Sequence, residues 1–187
     1  MARTRFEWSI WILLAALLGT GWIVVSRSPV TESRGITLTE APIVGHLAPT
    51  FTLPTTTGES VALASYFGET AETGQPVVLN FWATWCGPCR IEMPHFQDAS
   101  LRYKGKVAIL GVNQGESVQT ITAYAESIGI TYPLLVDADN QVNLTYNVNN
   151  LPTTVFIDRQ GIVREVVIGT MSKGVLEDRI ERLLREQ

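Results

Sequence analysis

The sequence predicts an α/β fold over residues 42–187, in which helices flank a central sheet. Stretches with strand-like and helix-like patterns alternate along this part of the chain. Residues 76–82 form a continuous apolar run of strand length, which is typical of a strand buried on both faces. Residues 175–184 place apolar side chains on one helical face and charged side chains on the other. The alternation therefore indicates one α/β domain built around a buried strand.

The length and net charge of the chain indicate one domain and exclude some classes of function. The 187 residues carry 45% hydrophobic side chains and a net charge of −4, which suits one globular domain with a short appendage. The first 35 residues hold four arginines and two glutamates, so −6 remains for the other 152. An acidic domain excludes nucleic acid as the expected partner, because binding to phosphates needs a basic surface.

The amino-terminal segment is expected to anchor the chain in a membrane. Residues 9–25 contain no charge and would cover roughly 25 Å as a helix, close to the ~30 Å of a hydrocarbon core. A cleaved signal segment and a buried core helix are the alternatives, although no small-residue cleavage site follows the run. The basic start predicts a cytoplasmic amino terminus at 1–8 and a domain outside the cytoplasm. Residues 26–41 are rich in Ser, Thr, Pro and charged residues, which predicts a solvated linker.

The predicted strands follow in order along the domain. Residues 51–53 and 61–63 form a candidate hairpin at the edge of the sheet, and 76–82 is the central strand. Gly161 is available for the positive φ of a turn between the last two strands. The remaining strand candidates are 106–112, 134–136, 154–157 and 163–168.

Three further stretches have helical patterns. Residues 117–128 place apolar side chains at helical spacing, and Ser117 is a suitable N-cap. Residues 142–146 predict a short helix, and the amphipathic stretch 175–184 predicts a carboxyl-terminal one.

The two cysteines lie together, at the point where the central strand is expected to lead into a helix. Unpaired N–H groups and the dipole at a helix start stabilise a thiolate. A free cysteine of pKa ~8.5 is about 3% thiolate at pH 7, whereas a pKa near 7 would make it about half thiolate. Cys86, nearer the helix start, is the expected nucleophile, and Cys89 is placed to resolve the mixed disulfide. Pro88 suits the first helical turn, because the N–H that proline lacks would have no partner within the helix there.

The sequence Trp85-Cys86-Gly87-Pro88-Cys89 resembles the active site of the thioredoxin superfamily. The longer run NFWATWCGPCRIEMP, at 80–94, is similar to the TlpA/ResA-like membrane-anchored thiol-disulfide oxidoreductases. The resemblance covers about 45–184 and implies a thioredoxin-like fold with a central mixed sheet, an N-terminal β-hairpin extension and an inserted helix at 117–128. It also implies an extracytoplasmic enzyme without a cofactor, with protein disulfides such as those of apocytochrome c as substrates and a membrane thiol electron donor.

The resemblance also assigns a role to Leu151 and Pro152. Sequence alone favours a trans bond here, since only about 5% of X-Pro bonds in folded proteins are cis. In thioredoxin-like proteins this position holds a cis-proline loop that faces the cysteines. The backbone of Leu151 is then expected to pair with an extended substrate segment. Trp85 is expected to cover the active-site surface, whereas Phe81 and Trp82 are expected in the core.

Proton transfer is expected to involve Glu92. Thioredoxins bury an aspartate six positions before the first cysteine, and this chain has Asn80 there, which cannot act as a base. Glu92 matches the carboxylate that follows the motif in TlpA/ResA-like proteins. We hypothesise that it raises the thiol pKa and relays protons to Cys89. The alternative is a solvated helix glutamate.

Pro94 is expected to kink the helix.

Three other functions are compatible with a cysteine pair. A metal site is disfavoured because His46 and His95 match no standard ligand spacing. A peroxiredoxin-type thiol peroxidase would need a Pro and a Thr or Ser where this chain has Leu79 and Ala83. A non-enzymatic interaction module with a structural disulfide is the third. So small a loop stabilises by about 2 kcal/mol, against ~4.7 kcal/mol for a loop of about 100 residues.

Overall fold

The computed structural model describes residues 39–70 and 73–185, which form seven strands, four α-helices and one turn of 3₁₀ helix. The predicted membrane segment at 9–25 and most of the linker lie outside these residues. Within the described part of the chain, no helix is both long and apolar enough to cross a bilayer. The strands are β1 (Thr52–Pro54), β2 (Ser60–Ala62), β3 (Val77–Trp82), β4 (Ala108–Gln114), β5 (Leu134–Asp137), β6 (Thr153–Ile157) and β7 (Val163–Ile168). The helices are α1 (Gly87–Arg102), α2 (Val118–Ile128), α3 (Gln141–Thr145) and α4 (Lys173–Arg185), and the 3₁₀ turn is Leu63–Tyr66.

The predicted α/β class and mixed sheet are confirmed. Five strands form one sheet in the order β5-β4-β3-β6-β7, with β3 at its centre. β3 is parallel to β4 and antiparallel to β6. All six residues of β3 are buried, as its continuous apolar pattern predicts.

The hairpin forms as predicted and lies beside the edge strand β5 of the main sheet, but it is not part of that sheet. β1 and β2 pair antiparallel with each other in a separate two-stranded sheet. One bridge between Thr55 and Leu135, and a hydrogen bond from Thr56 N–H to Leu134 O at 3.1 Å, connect this sheet to β5. The connection is short because the hairpin turns away directly after Thr55.

The predicted start and end of β4 are also shifted by two residues. The N–H groups of Lys106 and Val107 donate to Tyr103 O, so these residues belong to the turn that ends α1. At the other end, Asn113 and Gln114 continue the strand because they pair with Trp82 and with the last residues of β5. The sequence does not predict this extension, because the side chains of Asn113 and Gln114 are polar.

Alternation along β3 separates two layers of the core. Val78 and Trp82 belong to a cluster that includes buried residues of α1, α2 and α4. Val77, Leu79 and Phe81 belong to a second cluster with the hairpin and α3. Since side chains two apart share a face, Asn80 lies on the α1 side. This places one polar side chain inside the layer that carries the cysteines.

Local signals define the ends of the helices. Ser117 accepts a hydrogen bond from Thr120 N–H at 3.2 Å, which confirms it as the N-cap of α2. Gly129 ends the same helix with a φ of 70°. Pro94 lies inside α1, where its missing N–H removes a backbone hydrogen bond, and the kink stays a prediction.

Candidate active site

The cysteine motif begins where β3 ends. After Trp82, a short turn leads to α1, and Cys86 N–H donates to Ala83 O at 3.2 Å within it. Cys86 is the N-cap residue of α1, and its Sγ accepts a hydrogen bond from Cys89 N–H at 3.2 Å. The sulfur of Cys86 therefore faces the N–H groups of the first helical turn, as the sequence predicts. Pro88 occupies that first turn.

The two sulfurs form a disulfide and differ in exposure. The Cα atoms of Cys86 and Cys89 are 5.3 Å apart. Cys86 is 4% exposed and Cys89 is fully buried, so the order of accessibility agrees with the predicted roles. Trp85 is 67% exposed beside them, whereas Phe81 and Trp82 are buried in the core as expected. Gly87 and Pro88 are exposed and complete the surface around Cys86.

Glu92 lies three residues after Cys89 on α1 and is fully buried, so the alternative of a solvated glutamate is wrong. Its Oε1 accepts a hydrogen bond from Asn80 Nδ2 at 2.8 Å, and its Oε2 accepts one from Met171 N–H at 3.0 Å. Burial raises the pKa of Glu92 to about 7, although both hydrogen bonds favour the ionised form. A carboxyl group with this pKa can gain or lose a proton near neutral pH.

Asn80 holds Glu92 from the central strand. It pairs with Thr154 across β3 and β6, and its Nδ2 also donates to Thr154 Oγ1 at 3.2 Å. Asn80 cannot take up a proton at neutral pH, as predicted, but its amide orients the carboxylate that can. In the sequence, Asn80 stands out only because thioredoxins have an aspartate at this position. Its hydrogen bond to Glu92 is not predicted.

Met171 was missed by sequence reasoning. Its N–H binds Glu92 and its carbonyl lies 3.2 Å from His95 Nδ1. Met171 binds Glu92 through its backbone N–H and lies 79 residues after it in the sequence. No pattern of side chains could therefore have identified this hydrogen bond.

The Leu151–Pro152 peptide bond is cis, as the resemblance implies. The register of β6 against β3 places Thr153 opposite Phe81. The start of β6 therefore reaches the edge of the sheet at which β3 ends and the cysteine motif begins. Pro152 O accepts a hydrogen bond from Gly169 N–H at 2.8 Å, which fixes the loop to the end of β7.

The histidines have local contacts. His46 Nδ1 lies 3.3 Å from Thr39 O, and His95 contacts Met171 as described above. Within residues 39–70 and 73–185, no three side chains of the metal-binding types come together.

Comparison with known proteins supports one enzyme class. Residues 44–166 match the AhpC/TSA family. The chain belongs to the AhpC/TSA family. The thiol-disulfide oxidoreductase ResA of Geobacillus kaustophilus is 37% identical over 92% of this chain and 92% of its own. The thioredoxin-like protein YneN of Bacillus subtilis is 35% identical over 94% of this chain and 97% of its own.

Solved structures support the same enzyme class. A Chlorobium tepidum protein, solved as a candidate DsbE thiol:disulfide interchange protein, superimposes with a TM-score of 0.67 and 31% identity. The match covers 76% of this chain and 98% of that one. This AhpC/TSA protein is a thiol-disulfide oxidoreductase of the ResA/DsbE type, and its fold is thioredoxin-like.

The positions that would distinguish a peroxidase are apolar in this AhpC/TSA member. Leu79 and Ala83 are both fully buried, and neither side chain can donate a hydrogen bond to a peroxide. The cysteine pair thus lies in a setting suited to thiol-disulfide exchange.

Proposed function

We propose that this oxidoreductase reduces disulfides of exported proteins outside the cytoplasm, with Cys86 as the attacking thiol and Cys89 as the resolving one. One observation carries the assignment of Cys86 as the attacking thiol: its Sγ accepts the N–H of Cys89 at the start of α1. A thiolate at this position gains the N–H groups and the positive end of the helix dipole. Cys89 is buried one turn further along and is bonded to Cys86.

The exchange proceeds in two steps that together move two electrons. The Cys86 thiolate attacks one sulfur of the substrate disulfide, that bond breaks, and the other substrate sulfur leaves as a thiolate that takes up a proton. Cys89 then loses its proton and attacks Cys86 Sγ. The second substrate sulfur leaves as a thiol, and the Cys86–Cys89 disulfide forms. A membrane thiol donor returns two electrons and two protons to restore the dithiol.

Glu92 is proposed to handle the proton of Cys89. Both residues are fully buried and three positions apart on α1, so they lie on the same face of the helix. A carboxylate near Cys89 disfavours a second negative charge and raises the pKa of the thiol. Titration of both thiols in Glu92→Gln should therefore show a lower pKa for Cys89. Unchanged titrations would leave Glu92 without this role.

Substrate is proposed to bind across Trp85 and the loop at Leu151 and Pro152. The exposed Trp85 ring offers apolar contact area next to Cys86. An extended substrate segment would pair with the backbone of Leu151, which gives affinity through main-chain groups rather than particular side chains.

Residues 9–25 are proposed to anchor the chain, with 1–8 in the cytoplasm and 26–41 as the tether. Support comes from the length and apolarity of the segment and from its basic start. Full-length protein should stay with membranes after alkaline extraction, and external protease should remove the domain from spheroplasts. Recovery of the full chain in the soluble fraction would contradict an uncleaved anchor.

The direction of exchange depends on the reduction potential. Each 30 mV corresponds to about 1.4 kcal/mol for a two-electron couple. The Gly87-Pro88 dipeptide of thioredoxins favours a reductant, and the resemblance to TlpA/ResA-like proteins favours apocytochrome c as a substrate.

A direct test uses an oxidised peptide with the Cys-x-x-Cys-His sequence of apocytochrome c. Reduced protein should convert this peptide to its dithiol while one Cys86–Cys89 disulfide forms per peptide. Cys86→Ser is the control and should transfer no electrons. Oxidation of the reduced peptide by the oxidised enzyme, with no transfer in the other direction, would contradict a reductase.

A further inference from the structure

A carboxylate outside the cysteine motif holds the turn that carries Cys86. Glu116 lies in the connection between β4 and α2. Its Oε2 accepts the backbone N–H of Thr84 at 2.7 Å, and its Oε1 accepts the Thr84 hydroxyl at 2.5 Å. Both donor groups of Thr84 therefore bind one side chain that is 32 residues away in the sequence.

Asn113 fixes this carboxylate in turn. Asn113 Nδ2 donates to Glu116 Oε2 at 2.8 Å, and Glu116 N–H donates to Asn113 Oδ1 at 3.1 Å. Asn113 is fully buried and lies opposite Trp82 in the β3–β4 register. Since β3 and β4 are parallel, their carboxyl ends reach the same edge of the sheet. The end of β4 can thus hold the turn that follows β3.

The position of this turn decides where the Cys86 sulfur lies. Thr84 stands two residues before Cys86, and the turn between them is closed by the bond from Cys86 N–H to Ala83 O. Stabilisation of a thiolate by a helix start depends on alignment of the sulfur with the N–H groups, and functional groups need to be held to within about 0.5 Å. A loosened Thr84 would let Cys86 Sγ move away from Cys89 N–H.

We propose that Glu116 is a positioning residue that acts through Thr84 and holds Cys86 Sγ against the N-terminus of α1. The inference rests on the proposed role of Cys86 as the attacking thiol. The carboxylate acts on the turn and not on the sulfur itself, so its effect depends on the shape and hydrogen bonds of residue 116 more than on its charge.

Three variants separate shape from charge. In Glu116→Gln, the carbonyl oxygen can still accept from Thr84 N–H and Asn113 Nδ2, while the amide can donate to the Thr84 hydroxyl. Glu116→Ala removes all of these bonds. Glu126→Ala is the matched control, because it removes a glutamate from an exposed position of α2, away from this network.

The measurement is the pH dependence of Cys86 alkylation by iodoacetamide in the reduced full-length chain, which has only two cysteines. Glu116→Ala should move the Cys86 titration upward, towards the ~8.5 of a free cysteine, and slow alkylation at pH 7 by about 3- to 10-fold. Glu116→Gln and Glu126→Ala should stay within about twofold of wild type. Circular dichroism and thermal unfolding show whether each variant is folded.

An unshifted Cys86 titration in folded Glu116→Ala would overturn the proposal. Equal downward shifts in Glu116→Gln and Glu116→Ala would also overturn it, because loss of the negative charge alone lowers the pKa of a nearby thiol and would then explain the effect. Should Glu116→Ala fail to fold, Thr84→Val replaces it: this variant keeps the backbone N–H and loses only the hydroxyl bond. It should shift the titration upward by a smaller amount, and no shift would again overturn the proposal.

These outcomes are independent of the physiological substrate. A wild-type chain that reduces no protein disulfide would contradict the proposed function, whereas the comparison of Cys86 titrations between variants would still decide the role of Glu116.

Discussion

Glu92 is an ionisable group held in the core by Asn80 and Met171. The resemblance to TlpA/ResA-like proteins identifies it as a candidate, and its position three residues after Cys89 places both side chains on one face of the helix. Its full burial could not be deduced, since it depends on how α1 packs against β3 and against a loop 79 residues further along the chain. The hydrogen bond to Met171 N–H depends on the path of the chain after β7, which no local pattern describes.

The raised pKa of Glu92 predicts a pH-dependent cost to folding. Below pH 4.5 the carboxyl group is protonated in both the folded and the unfolded chain, so it contributes no difference. Between pH 4.5 and about 7 the unfolded chain ionises first, and stability falls as pH rises. Above that range the full cost applies, up to about 3 kcal/mol.

Glu92→Gln should therefore be more stable than wild type at pH 8 and no more stable at pH 4. Glutamine can accept from Met171 N–H, and rotation of the Asn80 amide allows it to bond there too. Urea unfolding of the oxidised chain at both pH values measures the difference. An equal gain at the two pH values would show that packing, and not the charge, is responsible.

At the scale of elements, capping residues define where the helices start. The sequence predicts Ser117 as the N-cap of α2 because serine before an amphipathic stretch can accept an N–H of the first turn. At the start of α1 the N-cap is Cys86, whose Sγ accepts Cys89 N–H, and this capping role is not predicted from the sequence because cysteine is not a preferred N-cap.

Ser117→Ala should lower the free energy of unfolding by about 1 kcal/mol, since Thr120 N–H loses its partner. The rate of disulfide exchange should stay unchanged, because the cap lies outside the cysteine turn. Ser127→Ala is the control on the same helix: its hydroxyl is exposed and donates to Tyr124 O, so the expected change is within about 0.5 kcal/mol. Equal losses in the two variants would contradict the capping role.

The ends of a strand are hard to predict from sequence where polar residues extend it. β7 has the predicted bounds, whereas β4 begins and ends two residues later than predicted. The difference arises because strand ends are set by backbone pairing with neighbouring strands. Asn113 is part of β4 because it pairs with Trp82 of β3, although its polar side chain does not indicate a strand. The hairpin is likewise visible as a local pattern, but its separation from the main sheet is a non-local outcome.

In the whole domain, β3 separates the two layers of the core and ends at the cysteine turn. The sequence identifies this central strand from its apolar run, and the thioredoxin-like resemblance supplies the mixed order of the sheet. What remains beyond sequence reasoning are two separate sets of hydrogen bonds, those of Glu92 with Asn80 and Met171 and those of Glu116 with Thr84, because each bond joins different elements or turns.

Leu79→Ala should test how much the core layer between β3, the hairpin and α3 contributes to the free energy of unfolding. Leu79 is fully buried, so its truncation should cost about 2–5 kcal/mol. Leu144→Ala is the matched control, since that side chain is 68% exposed and its loss should cost less than about 0.5 kcal/mol. Denaturant unfolding of both variants measures the contrast, and similar costs would contradict the two-layer core.

The central claim is that Cys86 attacks and Cys89 resolves, and trapping of the mixed disulfide tests it most directly. Reduced Cys89→Ser, mixed with a protein disulfide substrate and analysed without reductant, should accumulate a covalent complex through Cys86. Reduced Cys86→Ser should accumulate none, because its remaining sulfur is fully buried. A complex formed by Cys86→Ser and absent from Cys89→Ser would contradict the assignment.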